Sequence, residues 1–131
     1  MKTFRIAVIG CGAISGNHIN AIVGSGNKIC ALCDILPEHA EEKIEKFELG
    51  NIPVYTDYIE LLNKEKPDSI HICTPHYLHA EMVIAALGRG INVLCEKPLA
   101  MRLDECEAII SAARASGKKF MVGQVCRKTP A

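Results

Sequence analysis

The sequence contains no tryptophan and few other aromatic residues. Three tyrosines and three phenylalanines stand among 131 residues, of which 49% are hydrophobic. An aliphatic composition of this kind is typical of layered α/β domains and argues against an aromatic-rich β-sandwich. The length suits one domain with a sizeable core, so we expect residues 1–131 to form a single α/β domain.

Two further absences limit the classes of partner. Fifteen basic and fifteen acidic residues cancel, and no block of like charge occurs. Nucleic-acid binding usually needs a basic surface and is therefore not expected. No apolar run approaches the roughly 20 residues that span a bilayer. The start, "MKTFRIAVIG", is interrupted by glycine too early for a signal peptide. We expect no membrane partner and a cytoplasmic location.

Cysteine is the one residue type present in excess, with seven in the chain. The only CxxC runs from Cys30 to Cys33 and has no second CxxC to pair with. It lies in an apolar strand-like run, where residues three apart point to opposite faces. Zinc needs four ligands that converge from one side. We therefore expect no metal site, and interpret the cysteines as small buried hydrophobes in a reducing cytoplasm rather than as metal or redox residues.

Short apolar runs alternate with amphipathic segments along the whole chain. The patterns predict strands at 4–10, 28–34, 52–56, 69–75, 91–98 and 118–123, and helices at 13–26, 37–50, 58–66, 79–90 and 104–117. Asp57 with Glu60, and Asp104 with Glu107, are expected to cap the third and fifth helices. Six strands that alternate with helices predict a doubly wound parallel sheet, the Rossmann fold, with helices on both faces.

A glycine turn joins the first strand to the first helix. In "VIGCGAIS", Gly10 allows a tight turn, and Gly12 has no Cβ, so a pyrophosphate can approach the backbone. The free N–H groups of the helix start would face that anion. Ser15 stands where a third glycine is common and is small enough for close helix–sheet packing. The turn favours dinucleotide binding over a strand–helix turn that merely needs glycine.

Asp34 ends the second predicted strand, 24 residues after Gly10. In this topology such a carboxylate accepts hydrogen bonds from the adenosine ribose and repels a 2′-phosphate. No arginine follows at 35 or 36 to bind that phosphate. The pattern therefore favours NAD over NADP. The alternative is an ordinary acid at a helix N-terminus, a role that Glu38 already fills.

With "GCGAIS", Asp34, "CTPHYLH" and "CEKPLA" in this order and spacing, the chain resembles the N-terminal, nucleotide-binding half of the Gfo/Idh/MocA oxidoreductases. The resemblance covers essentially the whole chain. It implies an NAD-dependent enzyme that transfers hydride between nicotinamide and a sugar, cyclitol or similar hydroxyl substrate. It also implies a C-terminal substrate domain that is absent here, so we expect this chain alone to be inactive, and a homo-oligomer at full length.

The resemblance gives Lys97 of "EKP" a catalytic role. Its ammonium would donate to the substrate oxygen and stabilise the developing alkoxide or help to move its proton. Glu96 would orient Lys97 and contact the nicotinamide ribose, and Pro98 would fix the turn. The alternative is a surface ion pair at a strand end. His79 matches a cofactor-side or structural histidine.

The full set of cofactor-binding residues that this resemblance implies is Gly10, Gly12, Ala13, Ile14, Asp34, Ile35, Cys73, Thr74, Pro75, His79, Glu96 and Lys97. The isolated histidines His18, His39 and His71 receive no role, although His18 matches a family histidine that follows the glycine loop, and would on that match pack under the loop. Two other functions stay open: a redox-neutral, NAD-dependent hydrolase or epimerase of the same family, and a nucleotide-sensing module without chemistry.

Overall fold

The computed structural model describes residues 3–97 and 102–123. Pro98, which the sequence predicts to fix the turn after "EK", lies outside these ranges. The strands are β1 (Arg5–Ile9), β2 (Lys28–Cys33), β3 (Val54–Tyr55), β4 (Ser69–Ile72), β5 (Asn92–Glu96) and β6 (Phe120–Gly123). The helices are α1 (Ser15–Gly24), α2 (Pro37–Lys46), α3 (Tyr58–Glu65), α4 (His79–Leu87) and α5 (Leu103–Ser116), with a 3-10 turn at His76–Leu78 before α4.

All strand pairs are parallel, and the sheet has the order β3-β2-β1-β4-β5-β6. The chain runs outward from β1 to β3, then returns to the other side of β1 to form β4. Strand order therefore reverses between β1 and β4, and a crevice opens there at the carboxyl ends of the strands. The predicted Rossmann fold is confirmed.

The sheet is buried on both faces because its strands are apolar on both faces. On one face, Ile70 and Ile72 of β4 pack in a core cluster with residues of α3, α4 and α5. On the other face, Ile6 and Val8 of β1 pack with residues of α1 and α2. This two-sided core holds the helices against both faces of the sheet.

Strand β2 contains an irregularity at Cys30. Ile6 pairs with Ile29 but Ala7 pairs with Ala31, so Cys30 is an extra residue in the ladder. The expectation that Cys30 and Cys33 point to opposite faces is wrong: both thiols lie in the same core cluster. Burial raises the pKa of the Cys33 thiol to about 12. A buried thiol with a raised pKa is chemically inert, which agrees with a packing role.

Several helix ends differ from the sequence prediction by one to four residues, and two of the differences have a clear local cause. Helix α5 begins at Leu103, and the N–H of Arg102 donates to the Glu105 carboxylate at 3.1 Å, so the expected pairing of Asp104 with Glu107 is wrong. Helix α2 ends at Lys46 rather than at 50, because the chain turns there through a left-handed residue, Glu48. These shifts leave the topology unchanged.

Asp57 caps α3, as predicted, by accepting a hydrogen bond from the N–H of Ile59 at 3.0 Å. Glu60 instead pairs with Lys64, one turn later in the helix, at 2.8 Å. Across residues 3–97 and 102–123, every helix is too short or too polar to cross a bilayer.

Candidate nucleotide-binding site

Two cavities lie at opposite edges of the sheet. One, of about 300 Å³, lies at the carboxyl ends of β1, β2 and β4; its lining includes Gly10, Gly12, Asp34, Ile35, Cys73, Thr74 and Pro75. The other, of about 530 Å³, lies at the amino ends and is lined by Lys66, Asn92 and Lys118 among others. Ligands of open parallel sheets bind outside the carboxyl ends, where strand order reverses, so the smaller cavity is the candidate site.

Gly10 is the residue that brings the glycine turn against β4. Its N–H donates to the Cys33 carbonyl at 2.7 Å, and its φ is +93°. A Cβ built there would lie 2.7 Å from the carbonyl carbon of Cys73 and 2.8 Å from the nitrogen of Thr74. Glycine is needed at this position because another backbone occupies the space of a side chain.

The next part of the turn is open. A Cβ at Gly12 would meet nothing within 4 Å. No side chain caps α1, and its first turn carries no acid. Within the described ranges, the N–H groups of Gly12, Ala13 and Ile14 donate to no protein acceptor. Uncapped N–H groups at a helix start attract anions, so the turn has the donors that a pyrophosphate requires.

Ser15 and Gly16 share the packing role that the sequence gave to Ser15. The Ser15 side chain is fully buried, and its Oγ donates to the Gly12 carbonyl at 2.6 Å. A Cβ at Gly16 would lie 3.4 Å from the Phe47 ring, which follows α2. Small residues at both positions therefore let α1 lie close to its neighbours.

The Asp34 carboxylate forms hydrogen bonds to two backbone segments at the edge of the crevice. Its Oδ2 accepts from the N–H of Cys11 at 2.8 Å, and its Oδ1 accepts from the N–H of Leu36 at 2.9 Å. The carboxylate thus links the glycine turn to the start of α2. His39 lies beside it, with Nδ1 3.5 Å from Oδ2, a neighbour that sequence reasoning missed. Ile35 is exposed at the rim.

The segment after β4 is fixed from both sides. The N–H of Cys73 donates to the Ile9 carbonyl at 2.7 Å, and the Thr74 hydroxyl donates to the Met82 sulfur at 3.4 Å. His79 is buried, and its Nε2 donates to the Thr74 carbonyl at 2.8 Å. Of the two roles expected for His79, these contacts fit the structural one.

Glu96, at the end of β5, is directed towards α1. Its side chain is 15% exposed, and its Oε2 lies 2.5 Å from Nε2 of His18. The Nδ1 of His18 in turn lies 2.9 Å from the Nδ1 of His71. Burial, and then the neighbouring His18, lower the pKa of His71 from 6.5 to about 4, so His71 is neutral at neutral pH. Lys97 follows Glu96 and is exposed.

Sequence reasoning gave His18 and His71 no role, although one signal was available. Within "SIHI", the alternation of apolar and polar residues puts His71 on the face opposite to Ile70 and Ile72. That face carries α1 and His18. Among the described residues, no group of three His, Cys, Asp or Glu side chains is arranged to hold a metal ion.

A parallel sheet of this order, with a glycine turn after β1 and an acid after β2, defines a dinucleotide-binding domain of the Rossmann type. The family can be stated as well. The chain belongs to the Gfo/Idh/MocA family: residues 4–124 match its profile, described as an oxidoreductase family with an NAD-binding Rossmann fold. The predicted family and cofactor class are confirmed.

Two curated relatives show how varied the family chemistry is. Inositol 2-dehydrogenase of Salmonella typhimurium is 30% identical over 121 residues, which cover 91% of this chain and 36% of the relative. The 2,7-anhydro-N-acetylneuraminate hydratase of Mediterraneibacter gnavus is 34% identical over 127 residues, which cover 95% of this chain and 32% of the relative.

A solved structure agrees with the fold. The WlbA dehydrogenase of Bordetella pertussis, in complex with NADH and UDP-GlcNAcA, superposes with a TM-score of 0.86 at 27% identity, over 93% of this chain and 37% of that protein. The chain spans about a third of the length of each of these proteins.

Proposed function

We propose that residues 1–131 form the nucleotide-binding domain of an NAD-dependent oxidoreductase, with NAD bound in the crevice beside Gly12 and Asp34. The observation that carries this proposal is the open glycine turn. Among residues 3–97 and 102–123, the N–H groups of Gly12, Ala13 and Ile14 have no protein acceptor, and a Cβ at Gly12 would meet nothing within 4 Å. A pyrophosphate supplies the acceptors and negative charge that suit this arrangement.

Asp34 supports the choice of NAD over NADP. Two of its lone pairs accept backbone N–H groups, and an ionised carboxylate offers about four. The remaining ones would accept the ribose hydroxyls of adenosine, with Ile35 at the rim beside the adenine. A 2′-phosphate would be repelled by the same carboxylate.

Lys97 is the residue to which we assign the chemistry. It follows β5 at the same edge of the sheet as Thr74 and Pro75, which would pack along the nicotinamide side with Cys73 beneath them. Bound NAD would supply the hydride acceptor. The Lys97 ammonium would donate a hydrogen bond to the substrate oxygen and stabilise its developing negative charge; as the neutral amine, Lys97 would instead take the hydroxyl proton and become the ammonium. Glu96 would orient that lysine and the nicotinamide ribose.

For a longer protein that contains this domain, we propose a sugar, cyclitol or related hydroxyl substrate, bound by a further domain. The inositol 2-dehydrogenase relative supports that substrate class. The hydratase relative favours a second candidate, in which NAD is reduced and reoxidised within one redox-neutral cycle. NADH accumulation during turnover separates the two. We also propose that this longer protein forms a homo-oligomer and is located in the cytoplasm.

Calorimetric titration with NADH tests the binding site. Gly12→Val places a branched side chain in the open space of the turn, whereas Gly24→Ala adds a methyl at the end of the same helix, where nothing lies within 4 Å. We expect Gly12→Val to weaken NADH binding at least about tenfold and Gly24→Ala to bind like the parent. Absence of NADH binding to the parent, or equal binding by Gly12→Val, would contradict the proposal.

A further inference from the structure

A chain of two hydrogen bonds runs through the face of the sheet that α1 covers. It joins His71 of β4 to His18 of α1 and His18 to Glu96 of β5. The two imidazole rings meet edge to face, with centroids 5.1 Å apart and an angle of 85° between their planes. These hydrogen bonds link the helix that follows the glycine turn with β5, which ends at Glu96, directly before Lys97.

The position of each proton follows from which groups can donate. An ionised carboxylate only accepts, so the Nε2 of His18 must carry a hydrogen towards Glu96. His71 is neutral because it is buried. If His18 is neutral as well, its Nδ1 is an acceptor, and the Nδ1 of His71 must then be the donor. With His18 neutral, one assignment satisfies all three groups: His71 Nδ1–H donates to His18, and His18 Nε2–H donates to Glu96.

We propose that His18 and His71 are positioning residues for the nicotinamide end of the crevice. His71 fixes the tautomer of His18, and His18 then holds the Glu96 carboxylate in one orientation beside Lys97. This inference rests on the proposed function, because it assumes that Glu96 and Lys97 serve bound nicotinamide nucleotide.

A purely structural role explains the arrangement less well. His71 pairs in register with Val8 of β1, which belongs to the apolar cluster that includes Ile19 of α1. Aliphatic side chains would fill such space without loss of hydration. A polar network that is fully satisfied fixes one arrangement of its members. Here the fixed member is Glu96, whose carboxylate ends the hydrogen-bond chain at the carboxyl end of β5, next to Lys97.

Nitrogen-15 NMR of the two imidazoles in the parent chain at pH 7.5 tests the hydrogen-bond chain without any ligand. We expect His71 in the neutral Nδ1–H tautomer and His18 in the neutral Nε2–H tautomer. His71 in the Nε2–H form, or His18 protonated on both nitrogens, would overturn the assignment of His71 as the donor.

Nucleotide binding tests the positioning role, with NADH and ADP as probes, because ADP lacks the nicotinamide half. His71→Leu removes the donor, whereas His71→Asn keeps an N–H donor on a short side chain. We expect His71→Leu to weaken NADH binding about fivefold while ADP binding is unchanged, and His71→Asn to restore most of the NADH affinity.

The outcomes separate failure of the proposed nucleotide binding from failure of the positioning role. If the parent chain binds neither NADH nor ADP, the proposed function fails, and the positioning role fails with it. If both bind, and His71→Leu leaves the ratio of NADH to ADP affinity unchanged, only the positioning role is refuted. If His71→Leu does not fold, the NMR tautomers and the ratio measured for Glu96→Gln decide instead. A carboxamide there keeps an acceptor but loses the charge, so an unchanged ratio would count against the positioning role.

Discussion

Replacement of Gly10 by alanine should destabilise the fold strongly, even though it adds a single methyl group. The new Cβ would lie 2.7, 2.8 and 2.9 Å from three backbone atoms of Cys73 and Thr74, none of which can move as a side chain can. The φ of +93° is also unfavourable for any residue with a Cβ. Left-handed strain costs about 1–2 kcal/mol, and displacement of packed backbone costs about 1–3 kcal/mol.

The two costs together predict a loss of about 2–5 kcal/mol in the free energy of unfolding, against a total of about 5–15 kcal/mol for a typical domain. Urea unfolding followed by circular dichroism measures this loss. Gly24→Ala is the matched control, since its methyl meets nothing and its backbone is not left-handed. A Gly10→Ala midpoint equal to that of the control would refute the argument that close approach of β4 requires glycine.

Three further predictions concern stability and cofactor choice. Because the unfolded chain protonates His71 below pH 6.5 and the folded chain only near pH 4, stability falls as the pH drops through this window. Between pH 7.5 and 4.5, His71 should lower the free energy of unfolding by roughly 2.5 kcal/mol. Urea unfolding of His71→Asn should not show this loss. Ile109→Ala should cost about 2–5 kcal/mol, since Ile109 is fully buried, whereas Ile110→Ala, at a half-exposed neighbour, should cost little in the same assay. Asp34→Ala should reduce the preference for NADH over NADPH in calorimetric titrations. It should also lower the unfolding midpoint, because two N–H groups lose their acceptor. An unchanged preference would count against the assigned ribose contact.

Most of the fold could be predicted from the sequence, because alternating apolar runs and amphipathic segments report directly on a parallel sheet with helices. The irregularity at Cys30 could not, since it depends on how β2 aligns with β1. The true cap of α5 was also missed, because Arg102 contributes its backbone N–H rather than a side chain of a typical capping type.

The candidate site was predictable where a short motif carries it and hidden where contacts join distant segments. Gly10 was found from the motif, but its main constraint, the backbone of Cys73, is 63 positions away and becomes visible only in the folded sheet. The contacts among His18, His71 and Glu96 depend on three elements that meet on one face. No local pattern reports such an arrangement.

The most direct test of the central claim is to locate NADH on the molecule. The two cavities lie at opposite edges of the sheet, so amide chemical shifts of the nitrogen-15 labelled chain can tell them apart. Titration with NADH should shift the amides of Gly12, Ala13 and Ile14 and leave those of Asn92 and Lys118 in place. Saturable shifts at Asn92 and Lys118, with the glycine turn unchanged, would contradict the account.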